Sequence, residues 1–161
     1  MKKQQFLRQI NSPWKMALYL LWKLPAAWFM GIRVQTCTDE KAVVKLPYGW
    51  RAQNPFRSTY FAAQCAAGEL STGLLALAAL QDMPPVSMLV VNIEAEFYKK
   101  ADSTLLFTCE EGKLLELAIR QAVESGESLT CRACSTGRLP DGAEAARIWI
   151  TWSFKRKKTA R

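Results

Sequence analysis

NPFRSTYFAAQCAAGELSTGLLALAAL, residues 54–80, is a run of small and apolar residues in which Glu69 is the one acid. From Pro55 to Leu80 nothing interrupts helical continuation, and Met83, Pro84 and Pro85 then stop it. The pattern predicts one long helix with Asn54 as its N-cap and Pro55 in its first turn. A helix with almost no polar face has to be enclosed by the rest of the chain. The flanking segments must therefore supply a sheet able to wrap it.

Those segments have the right period. Ile32, Val34 and Thr36, then Val43, Val44 and Leu46 across a turn at Thr38 to Lys41, read as a hairpin. Beyond the helix, Val91, Ile93, Ala95 and Phe97 alternate with polar residues, which predicts a strand with one buried face. Leu105, Phe107 and Cys109 continue the pattern. Helical spacing returns from Leu114 to Val123 between Gly112 and Gly126, and two last strands are expected near 127–136 and 144–155 around a turn at Leu139 to Gly142. Ile148, Ile150, Trp152 and Phe154 fall on one face of the last strand. Short links between paired strands imply antiparallel pairing. The expected fold is α+β, an antiparallel sheet curled around one long central helix.

Residues 1–30 are expected to form a helical extension. Ser12 and Pro13 begin an amphipathic helix, Pro25 breaks it and Gly31 ends it. Its apolar runs, 16–22 and 24–30, are split by Lys23 and fall short of the roughly 20 continuous apolar residues a membrane span needs. Neither a span nor a signal peptide is expected, and Trp14, Trp22, Trp28 and Phe29 are assigned to packing on the body of the protein or on a partner subunit.

At 161 residues the chain is expected to be a single domain, large enough to bury about 70% of its unfolded surface. Five cysteines, an odd number scattered through apolar stretches, argue against a disulfide framework and for a cytoplasmic location. The Cys131 and Cys134 pair has CxxC spacing, but on a strand it points to opposite faces, so no metal site is expected. There is no histidine, which removes every mechanism built on a His base or ligand. Net charge is +8, concentrated at Lys2, Lys3 and Arg8 and in a basic tail over 155–161. Two solvated basic ends account for this pattern; the functional alternatives are attraction of an anionic cofactor, peripheral contact with membrane lipid, or nucleic acid, and no nucleic-acid-binding motif accompanies it.

With these elements in order, the sequence resembles the hotdog-fold thioesterase superfamily, in particular its phenylacetate-pathway branch and related uncharacterised members. That pattern has an Asn, a short loop, a His-Gly-Gly step into the central helix, and an acid nine residues after the His. Asn54 matches the Asn, Tyr60, Phe61 and Ala62 fall on the step, and Glu69 is the acid, with Ser87 where some members place a water-orienting hydroxyl. Tyr60 replaces the His, and neither glycine is kept. The resemblance implies thioester hydrolysis, no cofactor beyond the coenzyme A of the substrate, and a homodimer in which the acid of one protomer faces the helix start of the other.

Residue chemistry gives each position a role and a plainer alternative. Glu69, set among Ala66, Ala67, Gly68 and Leu70, loses hydration and becomes a candidate base for activating water. It could equally be a structural acid paired with Arg57 or another cation. The free amides at Tyr60, Phe61 and Ala62 are candidates to bind an oxyanion. Asn54 and Ser87 are candidates to hold the carbonyl or the water, or simply a cap and a strand start. Arg51, Arg57, Lys99 and Lys100 are assigned by charge alone to the phosphates of a coenzyme A thioester. A competing reading keeps the fold as a non-catalytic acyl-thioester-binding or interaction protein.

Overall fold

The computed structural model describes residues 2–157. Lys158 and Arg161, part of the basic tail, lie outside the described residues. The extension is three helices rather than one interrupted helix: α1 (Lys2–Ile10), α2 (Pro13–Lys23) and α3 (Pro25–Phe29). Then follow β1 (Arg33–Cys37), β2 (Ala42–Leu46), the long α4 (Phe61–Leu80), β3 (Val86–Phe97), β4 (Leu105–Cys109), α5 (Gly112–Ser125), β5 (Leu129–Arg138) and β6 (Glu144–Arg156). The expected break residues act as read: Pro13 opens α2, Pro25 opens α3, and Gly31 and Gly126 take positive φ where α3 and α5 end.

All six strands form one antiparallel sheet in the order β1-β2-β4-β5-β6-β3. The sheet wraps α4, which packs on β2, β4, β5 and β6, with α5 beside it. Ile148, Ile150, Trp152 and Phe154 of β6 are all buried under α4, as their alternation predicted. Contact is close at Gly68, where an added methyl group would lie 2.8 Å from Cβ of Ile148. Two hydroxyls anchor the helix to the sheet: Ser71 Oγ donates to the Gly68 carbonyl and bonds Ser135 Oγ at 2.7 Å, and Thr72 Oγ1 accepts the Trp152 indole N–H at 3.0 Å. Buried hydroxyls cost desolvation unless paired, so these bonds fix the rotation of α4 on the sheet.

Two expectations about α4 and β3 need correction. The central helix begins at Phe61, not at Pro55, and Asn54 is not its cap; Tyr60 occupies that position. Asn54 instead closes a turn. Its Oδ1 accepts the backbone N–H groups of Phe56 and Ser58, and the left-handed backbone of Arg57 (φ 57°) completes the reversal. The face of β3 expected to be buried is open. Ile93 and Phe97 remain 48% and 46% exposed, although their register partners Ile150 and Ala146 are fully buried. A bulge between Val90 and Asn92 changes the phase within the strand, and β3 lies at the sheet edge, pairing with β6 alone. The opposite edge is treated differently. Asn11 brackets Cys37 of β1 by accepting its N–H (2.8 Å) and donating to its carbonyl (2.7 Å). Of the extension's aromatics, Trp28 is half-buried and Phe29 meets Trp50 edge to face at 5.9 Å, while Trp14 and Trp22 are exposed on this chain.

One prediction concerns the turn between β1 and β2, which lies on the first residue of α5. A methyl group on Gly112 would fall 2.1 Å from the Asp39 carbonyl oxygen and 2.7 Å from Glu40 Cα, both backbone atoms. Gly112→Ala is expected to cost at least about 2 kcal/mol through overpacking. At roughly 2–4 °C per kcal/mol for a chain of this size, a thermal melt should fall by about 5 °C or more.

Candidate active site

Glu69 lies two turns into α4, and its side chain faces a small cavity of about 210 Å³ instead of the core. The cavity walls include Tyr19, Leu24, Gly73, Leu77, Met88 and Trp152, almost all apolar. Glu69, Gly73 and Leu77 are spaced by four, so helical geometry places them on one stripe. Gly73 leaves the room: a methyl group there would lie 3.3 Å from the Trp152 ring and 3.6 Å from a Glu69 carboxylate oxygen. Trp152 is held over this turn because Thr72 Oγ1, itself bonded to the Glu69 carbonyl, accepts the indole N–H.

The Glu69 carboxylate makes no hydrogen bond or ion pair with any described residue. The pairing with Arg57 does not occur within the chain, since Arg57 belongs to the turn before α4. Burial raises the carboxyl pKa above its usual value, because the charged form loses hydration that nothing replaces. The site thus holds a proton acceptor of increased basicity against an apolar space. Tyr19, Leu74 and Leu77 also line a second, larger cavity of about 410 Å³, whose other walls include Phe6, Ile10 and Met16 of the extension. Two of the three helices that precede the sheet therefore furnish walls near Glu69. No sequence signal outside the extension's amphipathic spacing pointed to Tyr19 or Leu24, whereas Gly73 and Leu77 follow from the four-residue interval.

The other candidates gather at the start of α4. Tyr60 donates its N–H to the Ala52 carbonyl at 2.7 Å, so its amide is not free. The Phe61 and Ala62 amides have no acceptor among the described residues, and they sit at the positive end of the helix dipole. The Tyr60 and Phe61 rings meet edge to face at 4.8 Å. Asn54 Nδ2 uses one N–H on Ser58 Oγ (3.0 Å), and its second N–H has no described acceptor. Thr59 donates both its N–H and its hydroxyl to the Ala101 carbonyl. That tie brings Lys99 and Lys100 to the same end of the molecule as Arg57. Arg51 is exposed and lies under Gly31, near the end of α3. Ser87 does not line the Glu69 cavity; its strand neighbour Met88 does, and alternation turns Ser87 to the other face.

Along one chain the acid and the free amides stay apart. Ala62 and Glu69 are seven residues apart on a straight helix, about 10 Å at 1.5 Å per residue.

A six-stranded antiparallel sheet curled around a buried central helix is the hotdog fold, which many thioesterases share. The chain belongs to the DUF4442 family, described as a domain of unknown function, whose profile matches residues 14–152. Solved structures share its fold. A candidate thioesterase from Shewanella oneidensis superposes with a TM-score of 0.73 at 11% identity, covering 96% of this chain and 99% of that one. A thioesterase from Haemophilus influenzae gives 0.63 at 13% identity over 86% and 88% of the two chains. A Staphylococcus aureus thioesterase, solved as a Gln-to-Ala variant, gives 0.60 at 18% identity over 78% and 94%. No curated protein sequence matches the chain.

Proposed function

We propose that this protein is a thioester hydrolase acting on acyl-CoA or acyl-carrier thioesters, with Glu69 activating water. The observation that carries the reading is Glu69 itself: a desolvated carboxylate with no partner among the described residues, facing an apolar cavity. In the proposed site two protomers pair through β3, and each Glu69 meets the free Phe61 and Ala62 amides of the other helix. Water gives its proton to Glu69 as it attacks the thioester carbonyl. The amides take the developing oxyanion, collapse breaks the C–S bond to give the acid and the thiolate, and protonated Glu69 returns its proton to the leaving sulfur. The spare N–H of Asn54 is placed to polarise the carbonyl. Solved variants of the Staphylococcus aureus relative replace a Gln and a Glu fifteen positions apart, the separation between Asn54 and Glu69. Arg57, Lys99 and Lys100 would meet the phosphates of coenzyme A at the same end, with Arg51 more remote, and Ser87 would act only from the outer face of β3. No cofactor beyond the substrate's own coenzyme A enters the reaction.

The acyl chain would run past Glu69 toward the cavity beneath α1 and α2. At about 410 Å³ that space lies within the roughly 300–1,000 Å³ of small-molecule sites. Leu77→Trp should fill the boundary between the two cavities. It is expected to reduce kcat/KM for long acyl chains by about 10-fold or more while sparing short ones, at about 0.8 kcal/mol per methylene no longer buried. A panel of acyl-CoA thioesters of graded length, read with a thiol-reactive dye, measures both the activity and this shift.

The second reading, a binding protein without turnover, is favoured by one feature. Tyr60 and Phe61 present two rings packed edge to face where a helix entered through glycines would offer bare backbone. Saturable acyl-CoA binding with no thiol release across the panel, unchanged in Glu69→Gln, would establish it and end the hydrolase proposal.

A further inference from the structure

The first 38 residues carry six cations, Lys2, Lys3, Arg8, Lys15, Lys23 and Arg33, and no acid. Only Lys3 among them is ion-paired within the described residues, to Glu116 at 3.0 Å and Asp39 at 3.7 Å. α2 buries Met16 and Leu20 against the body of the protein. At 100° per residue, Trp14, Leu18, Leu21 and Trp22 fall together on the opposite side. All four are exposed, Trp14 by 64% and Trp22 by 81%. Beside this stripe, Arg8 and Lys15 line one groove between α1 and α2 together with Gln5 and Gln9.

We propose that α2 docks this protein on the surface of an anionic phospholipid bilayer. The tryptophans and leucines enter the interfacial region, and Arg8, Lys15 and Lys23 meet lipid phosphates. Tryptophan at both ends of an apolar stripe, flanked by lysines, is the chemistry of a helix lying in the membrane plane. A second copy of the chain is a poorer occupant. A two-fold contact through this face would set the unpaired cations of two identical acid-free segments against each other.

The test uses the full chain with extruded vesicles of phosphatidylcholine alone and of phosphatidylcholine mixed with phosphatidylglycerol. The protein should sediment with the anionic vesicles only, and less so as salt is added. Trp14→Ser/Trp22→Ser should lower partitioning about tenfold or more while leaving the melting temperature in place, because both rings are exposed. Lys15→Glu/Lys23→Glu should lower it about fivefold per cation removed. Absence of binding to anionic vesicles, equal binding to neutral ones, or wild-type binding by the double Trp variant would overturn the proposal. So would a change of oligomeric state in the Trp variant without lipid, which would give the stripe to a second copy.

Discussion

Glu69→Gln is expected to hydrolyse its best acyl thioester at least about 100-fold more slowly than the wild type, which corresponds to about 2.7 kcal/mol of barrier. The same substitution should stabilise the fold at neutral pH. The two effects share a cause, since an ionised Glu69 is both the base and an uncompensated charge. Its carboxyl is held above the usual value of 4.5 by burial. Between its unfolded and folded pKa the native protein binds the extra proton, so stability falls as pH rises from the ordinary carboxylate range through the raised value. Above that range wild type carries the full penalty and the Gln variant does not; below the ordinary range both are neutral and the difference closes. Melting curves at acid and neutral pH read this directly. The rate should move in the opposite sense, increasing with pH as the carboxylate form appears. A variant that retained activity, or that gained no stability at neutral pH, would count against Glu69 as the desolvated base.

The second large effect is expected at β3. Ile93→Asp places a charge on a side chain that is half exposed in one protomer, so the isolated chain should still fold. Across a strand-to-strand contact the same carboxylate would be desolvated without a partner, at a cost of several kcal/mol. Dimer affinity should weaken by about 100-fold or more, and hydrolysis should fall in proportion, because each proposed site needs Glu69 from one copy and the Phe61 and Ala62 amides from the other. Sedimentation velocity and the concentration dependence of specific activity measure the two together. A monomeric Ile93→Asp with full activity would show that one protomer holds a complete site.

The fold was legible in the sequence wherever a residue acts on its immediate neighbours. Small residues with no polar face marked α4, and Gly112, Gly126, Pro13 and Pro25 marked element ends by conformational preference alone. The misplaced start of α4 had a tertiary cause. Asn54 and Pro55 satisfy the rules for a helix cap, but Asn54 is taken by Ser58 and Phe56 while Thr59 is tied to Ala101, forty-two residues away. Alternation along β3 states which side chains favour burial and not what buries them, so it could not reveal an edge strand with its inner face uncovered. Glu69 stood out as a lone acid in an apolar run. Its walls did not, because Tyr19, Leu24 and Trp152 reach it only through packing of distant segments. The loop residues Asn54, Arg57, Lys99 and Lys100 do come to one end of the molecule, while Ser87 is turned away.

The unequal rims of the sheet bear on how far copies can associate. A strand edge is a template for another strand, and a sheet open on both sides invites growth without end. Here the first rim is partly taken at its end: Asn11 supplies both a donor and an acceptor to Cys37, and α1 and α2 lie alongside β1. β3 carries the longer open edge, twelve residues against five. If two copies join through it, the edge each leaves outward is the short β1 held at Cys37, a poor template for fibres.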